Sequence, residues 1–253
     1  MMHAVARLRE VRLARSRKPF VARGSNVPRC PHCRVPLSHC LCAMRPDVPT
    51  RAGMCLIMAD IEPLKPSNTG WLIADVVKDS FAFGWARTEV DPALLELLAD
   101  PQWDPYLVFP AEFSEPQRVV TEVQQRAGKR PLFVLLDATW PEACKMFRKS
   151  PYLNHLPVLS LHSERLSRYH LRRSKRDDHY CTSEVASLCL DLAAEAHAAQ
   201  VLDAYLDVFT HHYLHAKRCV APNLQSAVHQ RLQAAVEGPL DQGRSGLAAH
   251  SDA

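Results

Sequence analysis

Apolar residues fall along this chain in short unbroken runs separated by polar or helix-patterned stretches. Residues 54–59 (MCLIMA) form one such run, and its length and lack of polar breaks predict a buried strand. A polar loop over 62–70 follows, and the segment from Trp71 to Ser80 carries helical spacing. Residues 81–87 (FAFGWAR) predict a second strand. Asp91-Pro92 supplies an N-cap and a first-turn proline, so a helix carrying Leu94, Leu95, Leu97 and Leu98 is expected after it. Residues 106–109 (YLVF) predict a short strand and 117–127 a surface helix. The clearest strand is PLFVLLD at 131–137, which ends on an acid. Thr139-Trp140-Pro141-Glu142 fits a capping box, predicting a helix to about Ser150. LPVLSL at 156–161 predicts the next strand, and 163–181 a basic, polar loop. The longest helix is expected from Thr182 on, with Val185, Leu188, Leu192, Leu202, Leu206 and Phe209 at helical spacing. Residues 1–29 show little apolar periodicity. The chain after Arg218 shows weak periodicity and ends in a Gly/Ser/Asp/His-rich stretch, expected to be frayed.

Strands alternating with helices imply an α/β fold with a largely parallel sheet. Such sheets bind ligands outside the carboxyl ends of their strands. Asp137 and the loop from Asp60 to Gly70 both follow strand candidates at that end.

Composition adds little to this picture, but charge and cysteine placement add more. The chain has 253 residues and a net charge of only +4, so bulk charge does not announce a nucleic-acid binder. Eight Lys or Arg residues precede Cys30, however, opposed by Glu10 alone. Such an arm attracts phosphate backbones; an organellar targeting segment is the alternative. No apolar run is long enough for a membrane span, and no secretory signal is present, so a cytoplasmic enzyme is expected. Of nine cysteines, four crowd into 30–42 while Cys55, Cys144, Cys181, Cys189 and Cys219 are scattered. An odd, clustered set argues against a secreted disulfide scaffold and for a reducing compartment with one metal site. Cys30, Cys33, Cys40 and Cys42 can supply four thiolates to one tetrahedral Zn²⁺, with His32 and His39 as substitute ligands. Four protein ligands leave no open position, so the role is structural. The alternative is a set of free surface thiols. The module is expected to be separable: losing its metal should leave the rest of the site largely intact.

Asp137-Ala138-Thr139-Trp140 is informative because of its company. Upstream lies Glu62-Pro63-Leu64-Lys65-Pro66-Ser67-Asn68-Thr69-Gly70. Downstream lie Arg172 in the basic loop and Thr182-Ser183-Glu184 at a helix start. In this order, behind the cysteine cluster, the set resembles the DTW-domain family of tRNA-uridine aminocarboxypropyltransferases over residues 28–215. The Asp-x-Thr-Trp signature is matched at 137–140 and Lys-Pro-Ser-Asn-Thr at 65–69. Thr-x-Glu-Ala is matched only at Thr182 and Glu184, because Val185 replaces the small residue. The resemblance implies transfer of the 3-amino-3-carboxypropyl group of S-adenosylmethionine to N3 of a tRNA uridine, at position 47 for the bacterial branch, with release of 5′-methylthioadenosine. It implies a SPOUT-like parallel sheet with a trefoil knot. The chain then divides into a basic arm (1–29), a zinc-binding module (30–46), a catalytic domain (54–215) and a tail (216–253), with no obligate protein partner.

Within that reading each residue has a role and an alternative. Asp137 is the candidate catalytic base for the N3 proton, or else a structural acid of its own turn. Ser67, Asn68, Thr69 and Gly70 offer polar and backbone groups to the donor, or cap a helix. Thr139 caps the next helix. Trp140 stacks on a base or belongs to the core. Arg172 pairs with a carboxylate or phosphate. Thr182 opens a helix beside the donor, and Glu184 receives the donor ammonium or serves its first turn. The Arg-rich loop around Tyr169 suits an RNA backbone or is a solvated loop. His211, His212 and His215 read as surface histidines near a helix end. Two rivals remain: a SPOUT-type RNA methyltransferase, and a non-catalytic zinc-ribbon RNA-binding protein.

Overall fold

The computed structural model describes residues 2–18, 20, 27–161 and 180–238. The basic loop with Arg172 and the Gly/Ser-rich end of the tail lie outside the described residues.

Six strands form one wholly parallel sheet. They are β1 (Gly53–Met58), β2 (Ser80–Gly84), β3 (Trp103–Val108), β4 (Val119–Val120), β5 (Arg130–Asp137) and β6 (Val158–Leu159), in the spatial order β2-β1-β5-β3-β6-β4. Side chains alternate across the sheet, and both faces are covered. Met54, Leu56, Met58, Phe133 and Leu135 pack on one side with α2 (Gly70–Val76), α5 (Thr182–Leu192) and α6 (Ala196–Lys217). Cys55, Ile57, Leu132 and Val134 pack on the other with α3 (Pro92–Ala99) and α4 (Trp140–Arg148). This two-sided burial explains why the strands read as unbroken apolar runs.

The sheet reverses direction beside β5. The chain leaves β1 toward β2 at one edge, but leaves β5 toward β6 on the opposite side. Met58 and Asp137 are register partners at the carboxyl ends of the two adjacent strands. The crevice where a doubly wound sheet binds ligands therefore opens between them. The predicted caps are present: Asp91 accepts from Ala93 N at 3.0 Å, and Thr139 with Glu142 forms a capping box on α4.

Five local readings are corrected. Within the basic arm, where periodicity predicts no helix, residues 4–14 form a helix, α1 (Ala4–Ala14), capped by His3 through Ala6 N at 3.2 Å. It is anchored by buried Val5, by the His3 ring edge-on to Trp71, and by a two-pronged Arg12–Asp60 pair. Only Ala4 and Val5 of α1 are buried, too few to leave a periodic signature. The stretch 117–127 is not a helix. Val119 and Val120 pair with β6, while the Arg118 guanidinium satisfies the Leu153 and Leu156 carbonyls. The long helix is two helices, α5 and α6, broken at Ala194, which adopts φ 61. The Glu195 carboxylate at the break accepts from Arg51 N and Ala52 N at the entry to β1. The tail carries a further helix, α7 (Ala227–Glu237).

The fifth correction concerns the histidines. His212 is fully buried. Its Nδ1 lies 2.8 Å from the His39 carbonyl and its Nε2 2.9 Å from Nε2 of His229 on α7. The carbonyl accepts only, so Nδ1 of His212 carries the proton and its Nε2 accepts from His229. The Ser226 hydroxyl, 2.8 Å away, closes the chain at His229 Nδ1. His211 stacks on His215 with centroids 3.8 Å apart. The cluster resists charging. Burial first, then the facing imidazoles of His215, His229 and His212, lower His211 to about 4. Burial also lowers His212 and His229.

These shifts fix a sign. Above the unfolded histidine pKa of about 6.5 the cluster is neutral in both states and destabilises nothing. Below it the unfolded chain gains protons that the fold refuses, so stability falls as pH drops from about 6.5 toward about 4. Thermal melts across that window should show a declining midpoint. His211→Gln, which cannot titrate, should flatten the slope; an unchanged slope would remove the cluster as its cause.

Candidate active site

Asp137 lies 1% exposed at the end of β5, continuing the face of Phe133 and Leu135. A carboxylate this deep must be hydrogen-bonded to remain charged. Its Oδ2 accepts from Asn68 Nδ2 at 2.7 Å, and its Oδ1 accepts from the Thr182 hydroxyl at 2.7 Å. Asn68 belongs to the turn that follows β1, and Thr182 opens α5. Two helix N-termini, those of α2 and α5, thus converge on one carboxylate, a favourable placement for negative charge.

Asn68 is fully buried and uses its second amide hydrogen on Glu62 Oε2 at 3.2 Å. Glu62 is also fully buried and pairs with the Lys65 ammonium. One amide therefore ties two buried carboxylates together. Glu62 heads the segment that the sequence singles out, but no role is assigned to it there. A Glu ahead of Pro-Leu-Lys in a polar loop reads as solvated, and only the fold turns it inward.

The other nominated residues divide. Thr69, 4% exposed, accepts from Ser183 N at 3.3 Å and so joins the two helix starts. Gly70 is required where it stands: a Cβ there would lie 2.7 Å from Asp137 Oδ2 and 3.1 Å from Asn68 Oδ1. Ser67 is half-buried on the same turn. Glu184 accepts from Cys181 N at 2.8 Å, capping α5. Thr139 is occupied with the capping box of α4. Trp140 is 39% exposed and packs with Phe109 and Phe113, 5.5 Å and 5.4 Å between centroids, outside the Asp137 cluster. Arg172 lies outside the described residues.

Two buried polar atoms in the cluster have no partner: Asn68 Oδ1 and Ser183 Oγ. Buried polar groups are almost always satisfied, so two adjacent exceptions at one site call for a specific cause. They lie on the two residues that border the Thr69–Ser183 contact.

The four clustered cysteines form a second site. Their sulfur atoms all lie within 4.8 Å of one another, with Cys30–Cys42 and Cys30–Cys40 at 3.6 Å and Cys33–Cys40 at 3.7 Å. A tetrahedral zinc with bonds of about 2.3 Å needs sulfur separations of about 3.8 Å. The donor chemistry fits as well. Burial pushes Cys33 up to about 11 and raises Cys42. At Cys30 burial opposes ionisation, but hydrogen bonds from the Cys33 and His32 amides and the neighbouring thiols outweigh it and bring the thiol down to about 7. The residues therefore fit a four-thiolate metal site.

Two outcomes follow. Gly70→Ala should destabilise the chain by about 1–3 kcal/mol through overpacking, despite alanine's helix preference of about 1 kcal/mol; equal or higher stability in denaturant titration would contradict the packing described. Reduced protein should contain one zinc per chain by metal analysis, and Cys33→Ser should lose it.

Comparisons with known proteins agree with this arrangement. No solved structure matches the chain. The protein "tRNA-uridine aminocarboxypropyltransferase 2" of Drosophila melanogaster is 28% identical to it over 171 residues, 64% of this chain. The chain spans 65% of that relative's length. The family model described as DTW domain matches residues 27–214, a span that contains the cysteine cluster, the Lys65–Gly70 turn, Asp137 and Thr182. With most of its length inside that match, the chain belongs to the DTW domain family.

Proposed function

We propose that this chain transfers the 3-amino-3-carboxypropyl group of S-adenosylmethionine to N3 of a uridine in tRNA, position 47 being the first candidate. Family membership and the name of the Drosophila relative support this reading. The observation that carries it is local: a buried carboxylate where two helix N-termini meet, with two unsatisfied polar atoms beside it, at the sheet's ligand crevice. Nothing in the geometry favours methyl transfer or RNA binding alone.

In this reaction N3 of uridine attacks the γ-carbon of the donor arm. The carbon–sulfur bond breaks, its electron pair stays on sulfur as 5′-methylthioadenosine leaves, and the N3 proton is lost. The sulfonium is already a good leaving group, so the protein's tasks are positioning and proton removal. Asn68 Oδ1 and the Ser183 hydroxyl are the groups assigned to the donor's ammonium and carboxylate ends. Asp137 is the assigned base. Both its oxygens already accept a hydrogen bond, Oδ2 from the Asn68 amide and Oδ1 from the Thr182 hydroxyl. Asp137 itself is sealed from solvent, whereas Thr182, whose hydroxyl is bonded to it, is half-buried. The proton therefore passes through Thr182: its oxygen accepts from N3 while its own hydrogen moves to Asp137. The zinc implied for the cysteine cluster supplies structure and takes no part in these transfers.

Mass spectrometry of nucleosides from tRNA incubated with protein and donor should show gain of the aminocarboxypropyl group. Gain of a methyl, or no gain, would overturn the reading. Asp137→Asn should keep fold and donor affinity but lose about 10²–10⁴-fold in single-turnover rate, with partial recovery at higher pH as uridine ionises unaided. Near-native turnover, or lost donor binding, would remove Asp137 as the base. Thr182→Ser should retain activity and Thr182→Val should not.

A further inference from the structure

The turn that holds Asp137 is itself held from behind, by a residue of the cysteine module. Arg34 directly follows Cys33, is 4% exposed, and sits at φ 63. That left-handed conformation is uncommon for a residue with a Cβ and persists where the surroundings impose it. Here the knuckle imposes it: Arg34 N donates to the Cys30 carbonyl at 2.9 Å, and Cys30 N to the Val35 carbonyl at 2.9 Å. The backbone thus aims the Arg34 side chain out of the knuckle and into the core.

There the guanidinium lies 4.0 Å over the Trp71 ring. Its Nη1 donates to the Lys65 carbonyl at 3.0 Å and its Nη2 to the Asn68 carbonyl at 3.1 Å. These two carbonyls bracket the turn. The side chains of the same two residues hold Glu62 and Asp137. A planar fork reaching two carbonyls at once fixes their separation, which a single ammonium cannot do. The ring beneath restricts the fork to its plane, and Trp71 is the second residue of α2, directly after Gly70. The cysteine module is thus in direct contact with the turn. A knuckle residue, placed by two cysteines, grips the backbone of the turn.

We infer that Arg34 is a positioning residue through which metal occupancy of Cys30, Cys33, Cys40 and Cys42 governs the order of the Lys65–Gly70 turn. Loss of the metal releases the knuckle, withdraws the fork, and slackens the turn without altering any side chain at Asp137. Regulation of the site by metal occupancy follows. That last step rests on the reading of this turn as the donor-binding segment, whereas the coupling itself does not.

The test is hydrogen exchange on the full chain, following the peptide over 65–72 with the β5 peptide 130–137 as internal control. Removing zinc with a chelator should raise exchange in 65–72 about tenfold and leave β5 protected. Arg34→Ala with its zinc still bound, verified by metal analysis, should show the same increase, and chelation should add little to it. Arg34→Lys, which keeps the charge but grips one carbonyl, should lie between and covers the case in which Arg34→Ala does not fold. Calorimetric donor affinity should fall about 10- to 100-fold in Arg34→Ala. The inference is overturned if the zinc-loaded variant exchanges like the parent, if chelation acts as strongly on the variant as on the parent, or if β5 loosens in step with the turn. If exchange behaves as expected but the parent binds no S-adenosylmethionine, the functional reading fails and the coupling stands.

Discussion

The structure turns on one charge in an unfavourable place. Asp137 ends β5, the strand between β1 and β3, and is sealed from water. An isolated carboxylate there would protonate or drag the strand end outward. What holds it in place is a set of donors drawn from sequence-distant segments: Asn68 from the turn after β1 and Thr182 from the head of α5, with the two helix ends that carry them. Each donor must approach closely. That explains a glycine at position 70, where any side chain would collide with the carboxylate. It also explains why Asn68 is fully buried in a segment that reads as a polar loop. The chain satisfies one acid by converging three elements, and that convergence is the site.

A second constraint is stacked on the first. The turn bearing Asn68 spends its side chains inward on Glu62 and Asp137, so its carbonyls at Lys65 and Asn68 face the other way and need donors of their own. Arg34 provides them from the cysteine knuckle. The module is therefore continuous with the core: Cys30, Cys33, Val35 and Leu41 are packed in the same cluster as α2 and α6. The first helix closes the other side of this region, lying against the Asp60–Leu64 segment through Arg12 and against Trp71 through His3. His3 is fit for that place because burial, then the nearby Arg45, hold it neutral, down to about 3. A charged ring there would sit among arginines.

Much of this was legible in the sequence, for identifiable reasons. Buried parallel strands must be apolar on both faces, so β1, β5 and the apolar part of β3 stood out. Caps such as Asp91 and Thr139 act within three residues and are read locally. The four cysteines announced themselves by spacing. What escaped depended on distance along the chain. Arg34 looks like a solvated charge until the Lys65 and Asn68 carbonyls, about thirty residues on, are brought to it. His212 reads as surface because its companions, His39 and His229, lie on separate elements. The helix α1 escaped because it buries only two small residues and is held by a cap, an aromatic edge and one ion pair, none of which leaves a period in the sequence.

The break between α5 and α6 shows how the two constraints are reconciled. The apolar periodicity runs through it, so local preference alone would continue one straight helix. A continuous helix cannot both aim its N-terminus at Asp137 and lay its length against α2 and the cysteine module. Ala194, in the left-handed region, turns the chain at a strain cost of about 1–3 kcal/mol. The turn is compensated on the spot. Ala193 N and Glu195 N still find the α5 carbonyls of Cys189 and Leu190, and the Glu195 carboxylate gathers the Arg51 and Ala52 amides at the entry to β1. The strained residue thus pins the beginning of β1 to the end of α5, while the end of β1 and the beginning of α5 meet at the site. Strand and helix are fixed to each other at both ends. The distance from Asn68 to Thr182 across Asp137 is consequently set by rigid elements and not by the loops alone, the condition under which a shared carboxylate can act as an organised site.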